Sequence, residues 1–161
     1  MIGKKGSYGD LFYIVFIATL FAITAVVCWV AFSKINDNLQ ANDNIAATSK
    51  AILTKSVNNY VTLLDGIFLV VIVVLYLAAI ILAFQIDTHP VFFILSIVVF
   101  GVLVFITAVM ANVFWEFASN AAITTYADDF TIITLVMNNF AQIMTVLGFG
   151  LAAVMYARSQ Q

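Results

Sequence analysis

Four stretches of the chain, Leu11–Phe32, Ile67–Ile86, Val91–Trp115 and Ile132–Ala157, contain no Asp, Glu, Lys or Arg. Each is long enough to supply the roughly 20 apolar residues that a helix needs to cross about 30 Å of hydrocarbon. A backbone inside lipid must satisfy its own hydrogen bonds, so these stretches read as helices. The pattern predicts an all-α integral membrane protein, a four-helix bundle in one transmembrane domain. Its helices are expected over about 10–41, 44–86, 90–115 and 130–157. Ser7 or Asp10 can cap the first, and Ala18, Ala22 and Ala25 share one of its faces, where another helix can approach closely.

The polar stretch between the first two windows has its own helical rhythm. Ile52, Leu53, Val57, Tyr60 and Leu64 recur at spacings of one, three and four, and Ile35 and Leu39 are four apart. No Pro or Gly occurs from Asp10 to Asp65. Helices 1 and 2 are therefore expected to run on past the bilayer as a projecting helical hairpin over about 33–65. A second helix of that extent is roughly 60 Å long, about twice the hydrocarbon thickness. The connection at Asp87–Pro90 is short enough to force an antiparallel turn, with Asp87 or Thr88 as cap and Pro90 in the first turn of helix 3. Glu116–Asp129 reads as a smaller, turn-like polar connection, and Arg158 places a cation at the end of helix 4.

Composition agrees with a membrane setting: 65% of the 161 residues are hydrophobic and 9% charged, against about 25% charged in soluble domains. The uncharged run behind the basic start MIGKKG exceeds the roughly 7–15 residues of a signal-peptide core, so it is read as a span. Lys4, Lys5 and Arg158 fall on one side and Lys34, Lys50 and Lys55 on the other. Basic residues therefore do not decide the orientation; the reading adopted places both termini inside. A net charge of −2 without a basic cluster gives no reason to expect nucleic-acid binding. The lone Cys28, within a span, reads as a small apolar filler and permits no disulfide within the chain.

Candidate chemistry is sparse. Thr134, Asn138, Gln142, Thr145 and Gly148 step by four, four, three and three along helix 4, so on a straight helix they share a face. That face serves either interhelical hydrogen bonding or, in an oligomer, a pore; the first is favoured because ion paths generally use ionisable groups. His89 reads as a turn residue, and Glu116 beside Trp115 as a membrane-boundary marker. No nucleophile–base pair, phosphate loop or Cys/His cluster is present, so no catalytic residue, cofactor or metal is expected and the chain is not read as an enzyme. The acidic residue expected in the first span of a small multidrug exporter is missing, as are the loop cysteines of a tetraspanin or claudin.

The runs FQIDTHPVFFILSIVVF (Phe84–Phe100) and ANVFWEFASNAAI (Ala111–Ile123), with the start MIGKKGSYGDLFYIVF, resemble a family of small membrane proteins of tailless icosahedral viruses. These are viruses of the double-jelly-roll capsid type that carry an internal membrane. The resemblance implies a structural protein of the virion internal membrane or host cell membrane, with lipid, its own copies and capsid or vertex proteins as partners. The alternatives are an accessory subunit of a cellular membrane complex and a small oligomeric channel or lysis pore using the helix 4 face.

The stretch INDNLQANDNIAA (35–47) carries two Asn-Asp-Asn triplets but lacks the glycine and terminal acid of a calcium loop. It reads as the tip of the hairpin, with the second triplet capping the outgoing helix. Asn42, Asp43, Asn44, Lys50 and Lys55 are the candidate partner-docking residues.

Overall fold

The computed structural model describes residues 8–84 and 90–159. Its elements are helices: α1 (Tyr8–Gln40), α2 (Ala47–Phe84), α3 (Pro90–Ala118), α4 (Thr124–Ala127), α5 (Thr131–Asn138) and α6 (Phe140–Ser159). Helices α1, α2 and α3 are long and apolar enough to cross a membrane, and α5 with α6 makes a fourth if that bent pair is one span. Ser7, Asp87, Thr88 and His89, read above as cap and turn residues, lie outside the described residues, as do Lys4 and Lys5. Pro90 opens α3 as expected.

Helix α1 packs against α2 and α3, and α6 packs against the same two helices. The small-residue line on α1 lies in this core, with Ala18 and Ala22 fully buried and Ala25 nearly so. Short side chains there let neighbouring backbones close in. Two hydroxyls share the core without cross-helix partners. Thr19 and Thr107 each donate to the carbonyl four residues earlier, Val15 and Leu103, at 2.9 and 2.8 Å.

Glycine completes the α6 contacts. The ring of Phe100 on α3 occupies the space that a Cβ on Gly148 would need, and a Cβ on Gly150 would meet the Tyr76 hydroxyl at 3.0 Å. On the outer surfaces Phe16, Leu20, Val70, Val74, Val102 and Phe105 are exposed. Such apolar faces would be a liability in water but suit a hydrocarbon solvent.

Two expectations need correction. The single helix over 130–157 is broken: α5 and α6 meet at Asn139 with a bend of 70°. The cause is local competition for backbone groups. The Asn139 side-chain amide donates to the Leu135 carbonyl at 2.8 Å. Its backbone N–H is shared between the Leu135 and Val136 carbonyls, and its own carbonyl accepts the first bond of α6 from Ile143. The second correction concerns the Asn42–Asn44 triplet, which forms the turn and does not cap the helix. Asn42 Oδ1 accepts from the Asn44 N–H at 3.0 Å, while the first α2 bond runs from Lys50 to the Ala46 carbonyl. Helix α2 therefore starts at Ala47, three residues later than expected.

The glycine contacts make a testable contrast. Gly148→Val must displace the Phe100 ring and should destabilise the protein by about 1–3 kcal/mol, as overpacking does. Gly101→Ala, where a Cβ meets nothing within 4 Å, should hold or raise the thermal midpoint in detergent. Equal midpoints for the two variants would remove the α3–α6 glycine contact from the account.

Candidate functional site

Helix α5 has an N-terminus that its own sequence cannot cap. The N-cap position is Phe130, which has no side-chain acceptor to offer the free N–H groups of the first turn. Asp65, from the middle of α2, supplies what is missing. Its two carboxylate oxygens accept from the backbone N–H groups of Ile132 and Ile133, each at 3.0 Å. Asp65 is only 6% exposed, and a buried carboxylate is costly unless compensated. Two charge-assisted hydrogen bonds and the positive end of the helix dipole provide that compensation.

A second carboxylate ties the same connection to α1. Asp129, two residues before α5, accepts a 2.8 Å hydrogen bond from the indole N–H of Trp29. Tyr60 stacks on Trp29 with ring centroids 6.1 Å apart and planes at 17°, and Phe32 leans on Tyr60 at 4.8 Å. Trp29, Tyr60, Asp65, Asp129 and the first turn of α5 thus form one collar joining α1, α2 and the segment between α3 and α6. An indole with an apolar body and a satisfied N–H is typical of a membrane–water boundary.

Beyond the collar, hydrogen bonds lace α1 to α2. Lys50 Nζ donates to the Gln40 carbonyl at 2.7 Å, placing a cation on the C-terminus of α1. Gln40 Nε2 in turn donates to the Lys50 carbonyl at 3.0 Å and to Thr54 Oγ1 at 2.9 Å. Lys50 is therefore engaged within the pair, whereas Asn42, Asp43, Asn44 and Lys55 are exposed.

The helix 4 residues separate once α5 and α6 bend apart. Thr134 and Asn138 lie on α5; Gln142, Thr145 and Gly148 lie on α6. Thr134 donates to the Ala127 carbonyl and Thr145 to that of Ala141. Gly148 faces Phe100, and Asn138 and Gln142 are exposed. The five do not form one continuous face. Among the described residues, no group of three or more His, Cys, Asp and Glu side chains is placed to hold a metal ion.

No protein-family model, curated protein or solved structure matches the chain.

Asp65 was not singled out from sequence, although one signal was present: a single acid one residue before Gly66 and the uncharged run Ile67–Ile86. What that signal could not convey was the partner, 67 and 68 residues away. Asp65→Ala should destabilise the protein by about 2–4 kcal/mol, because two buried N–H groups lose their acceptor. Asp65→Asn, which keeps one acceptor oxygen, should cost less. Hydrogen exchange supplies the specific readout: amide protection at Ile132 and Ile133 should fall in Asp65→Ala before that of α3. Unchanged protection at those two amides would refute the capping role.

Proposed function

We propose that this chain is a structural membrane protein that anchors a projecting helical hairpin, residues 33–65, to which a non-lipid partner docks. The supporting observation is the excess length of α1 and α2. At about 1.5 Å per residue they extend roughly 50 and 57 Å, against about 30 Å of hydrocarbon. On this reading the bilayer ends near the collar at Trp29 and Tyr60, and the last turn of the hairpin, 60–65, lies at that boundary. Beyond it α1 continues to Gln40, about 17 Å, and α2 covers about 20 Å from Ala47 to Asn59. On this reading four spans form the bundle, α6 being the fourth.

Helix α5, which buries Ile133, Val136 and Met137 and exposes Leu135 and Asn138, lies at the boundary in place of the first turns of a longer fourth span. The Lys50–Gln40–Thr54 bonds hold the tip as a rigid pair, which lowers the ordering cost of binding. The docking surface is then Asn42, Asp43, Asn44 and Lys55.

The resemblance of Phe84–Phe100 and Ala111–Ile123 to membrane proteins of tailless icosahedral viruses supports reading the membrane as a virion internal membrane and the partner as a capsid or vertex protein. A pore has less support, since the polar residues it would use are divided by the bend at Asn139. Two measurements test the proposal. Purified membrane-containing virions should contain the protein in fixed ratio to the capsid protein; its absence would sink the virion assignment. The double variant Asp43→Lys with Lys55→Glu should reduce co-sedimentation of capsid protein with vesicles bearing this chain at least tenfold. Helical content should be unaltered. Unchanged co-sedimentation would rule out the tip as the docking site.

A further inference from the structure

Two neighbouring helices draw on apolar stretches of nearly equal length and use them differently. As unbroken helices, Val91–Trp115 and Ile132–Ala157 would extend roughly 38 and 39 Å. The first lies wholly within α3. The second is divided, and α6 by itself covers about 30 Å. Because α3 and α6 pack against each other, one bilayer must fit both.

The register of the fourth span does not call for the break. From Thr131 to Leu147 there is neither Pro nor Gly, two common causes of a sharp kink, which leaves the Asn139 side chain as the local cause. The buried residues on either side are Ile133, Val136 and Met137 on α5 and Phe140, Met144 and Leu151 on α6. They follow at steps of three, one, three, four and seven, which on an unbroken helix makes one stripe. Helix α5 could therefore rise onto the axis of α6 and keep its buried side in line with that of α6. In the bent form α6 starts anew at Phe140, so its first N–H groups have no partner within α6. Upright, the N–H groups of Phe140, Ala141 and Gln142 would reach the carbonyls of Val136, Met137 and Asn138 and close the ladder.

Against that gain stand the contacts that hold α5 down. The Asp65 carboxylate accepts from Ile132 and Ile133 at 3.0 Å, and the Asn139 amide takes the Leu135 carbonyl at 2.8 Å. The Asp65 bonds must break for α5 to rise, since its first turn then leaves the level of that carboxylate.

We infer that α5 is a latched segment with a second, upright state, in which α5 and α6 form one span matched in length to α3, and that bilayer thickness sets the balance between the two states. The inference rests on α6 being the fourth span. In a thin bilayer α6 suffices, and Asp65 keeps α5 along the boundary. In a thick one α6 is too short beside its longer neighbour, and raising α5 removes the mismatch. Thickness can shift the balance because the bilayer interacts differently with the two forms.

The test uses the full chain carrying Cys28→Ser, with spin labels on Ile52→Cys in the hairpin and Thr131→Cys at the start of α5, both exposed positions. Separations are read by pulsed electron resonance in dimyristoleoyl and dierucoyl phosphatidylcholine vesicles, a thin and a thick bilayer with one headgroup. Raising the 8 residues of α5 from 70° to upright lifts Thr131 towards the tip by about 8 Å. The thick bilayer should therefore add a population of shorter separation, at least fivefold larger than in the thin one. Asn139→Leu removes an exposed amide and no core contact, so the chain still folds. It should enlarge that population at least tenfold in the thin bilayer and slow hydrogen exchange at Phe140, Ala141 and Gln142. Equal populations in the two lipids would overturn the inference and leave the span assignment standing. So would an Asn139→Leu variant with the separations of wild type. A C-terminal epitope reached from the same side of the vesicle as a thiol probe on Asp43→Cys would overturn both, since α6 would then not cross.

Discussion

The carboxylate of Asp65, clamped across the first two free N–H groups of α5 that it can reach, is the contact on which the arrangement around it depends. It joins residues far apart in the chain and serves two needs at once. The free N-terminus of α5 needs an acceptor, and the buried carboxylate needs donors. Either group alone would be expensive to keep away from water, so each makes the other tolerable. Through this bond, and the Trp29–Asp129 bond beside it, the connection between α3 and α6 is fastened to α1 and α2. The bend at Asn139 can then hold, because α5 is fixed at its start by α2 and at its end by Asn139's own amide.

Lipid as solvent explains the rest of the surface. The core is drawn from one stripe of α1, with alanines where backbones converge, and the outward faces of α1, α2 and α3 carry large apolar side chains. Hydrophobic burial does not drive helices together inside hydrocarbon, so packing must come from close fit and satisfied polar groups. Gly148 under the Phe100 ring, Gly150 near the Tyr76 hydroxyl and the self-satisfied Thr19 and Thr107 each meet that requirement.

A functional picture follows from what the polar residues are occupied with. Several hold the fold: Asp65 and Asp129 in the collar, Lys50 and Gln40 at the tip, Thr134 and Thr145 on nearby carbonyls. Among the exposed polar residues, Asn42, Asp43, Asn44 and Lys55 sit at or near the far end of the longest helices. That placement is what the proposed docking role at the tip would use.

Charge-free stretches and uninterrupted helical periodicity determined, from sequence alone, that this chain is helical, suited to a membrane and built on two very long helices. Those properties depend on residues near one another along the chain, through local hydrogen bonding and transfer to lipid. The alanine line on α1 was legible for the same reason. Tertiary structure decided what depends on distant residues. A helix that reads as continuous over 130–157 is broken at Asn139, whose side-chain amide and backbone N–H both turn back to the Leu135 carbonyl, and the start of α5 is capped by Asp65 from 67 residues away. Asn42–Asn44 became a turn and not a cap because Lys50 and Gln40 closed the helix pair around it. A lone aspartate and a repeated Asn-Asp-Asn look alike as sequence features; only their neighbours in space distinguish a cap from a turn.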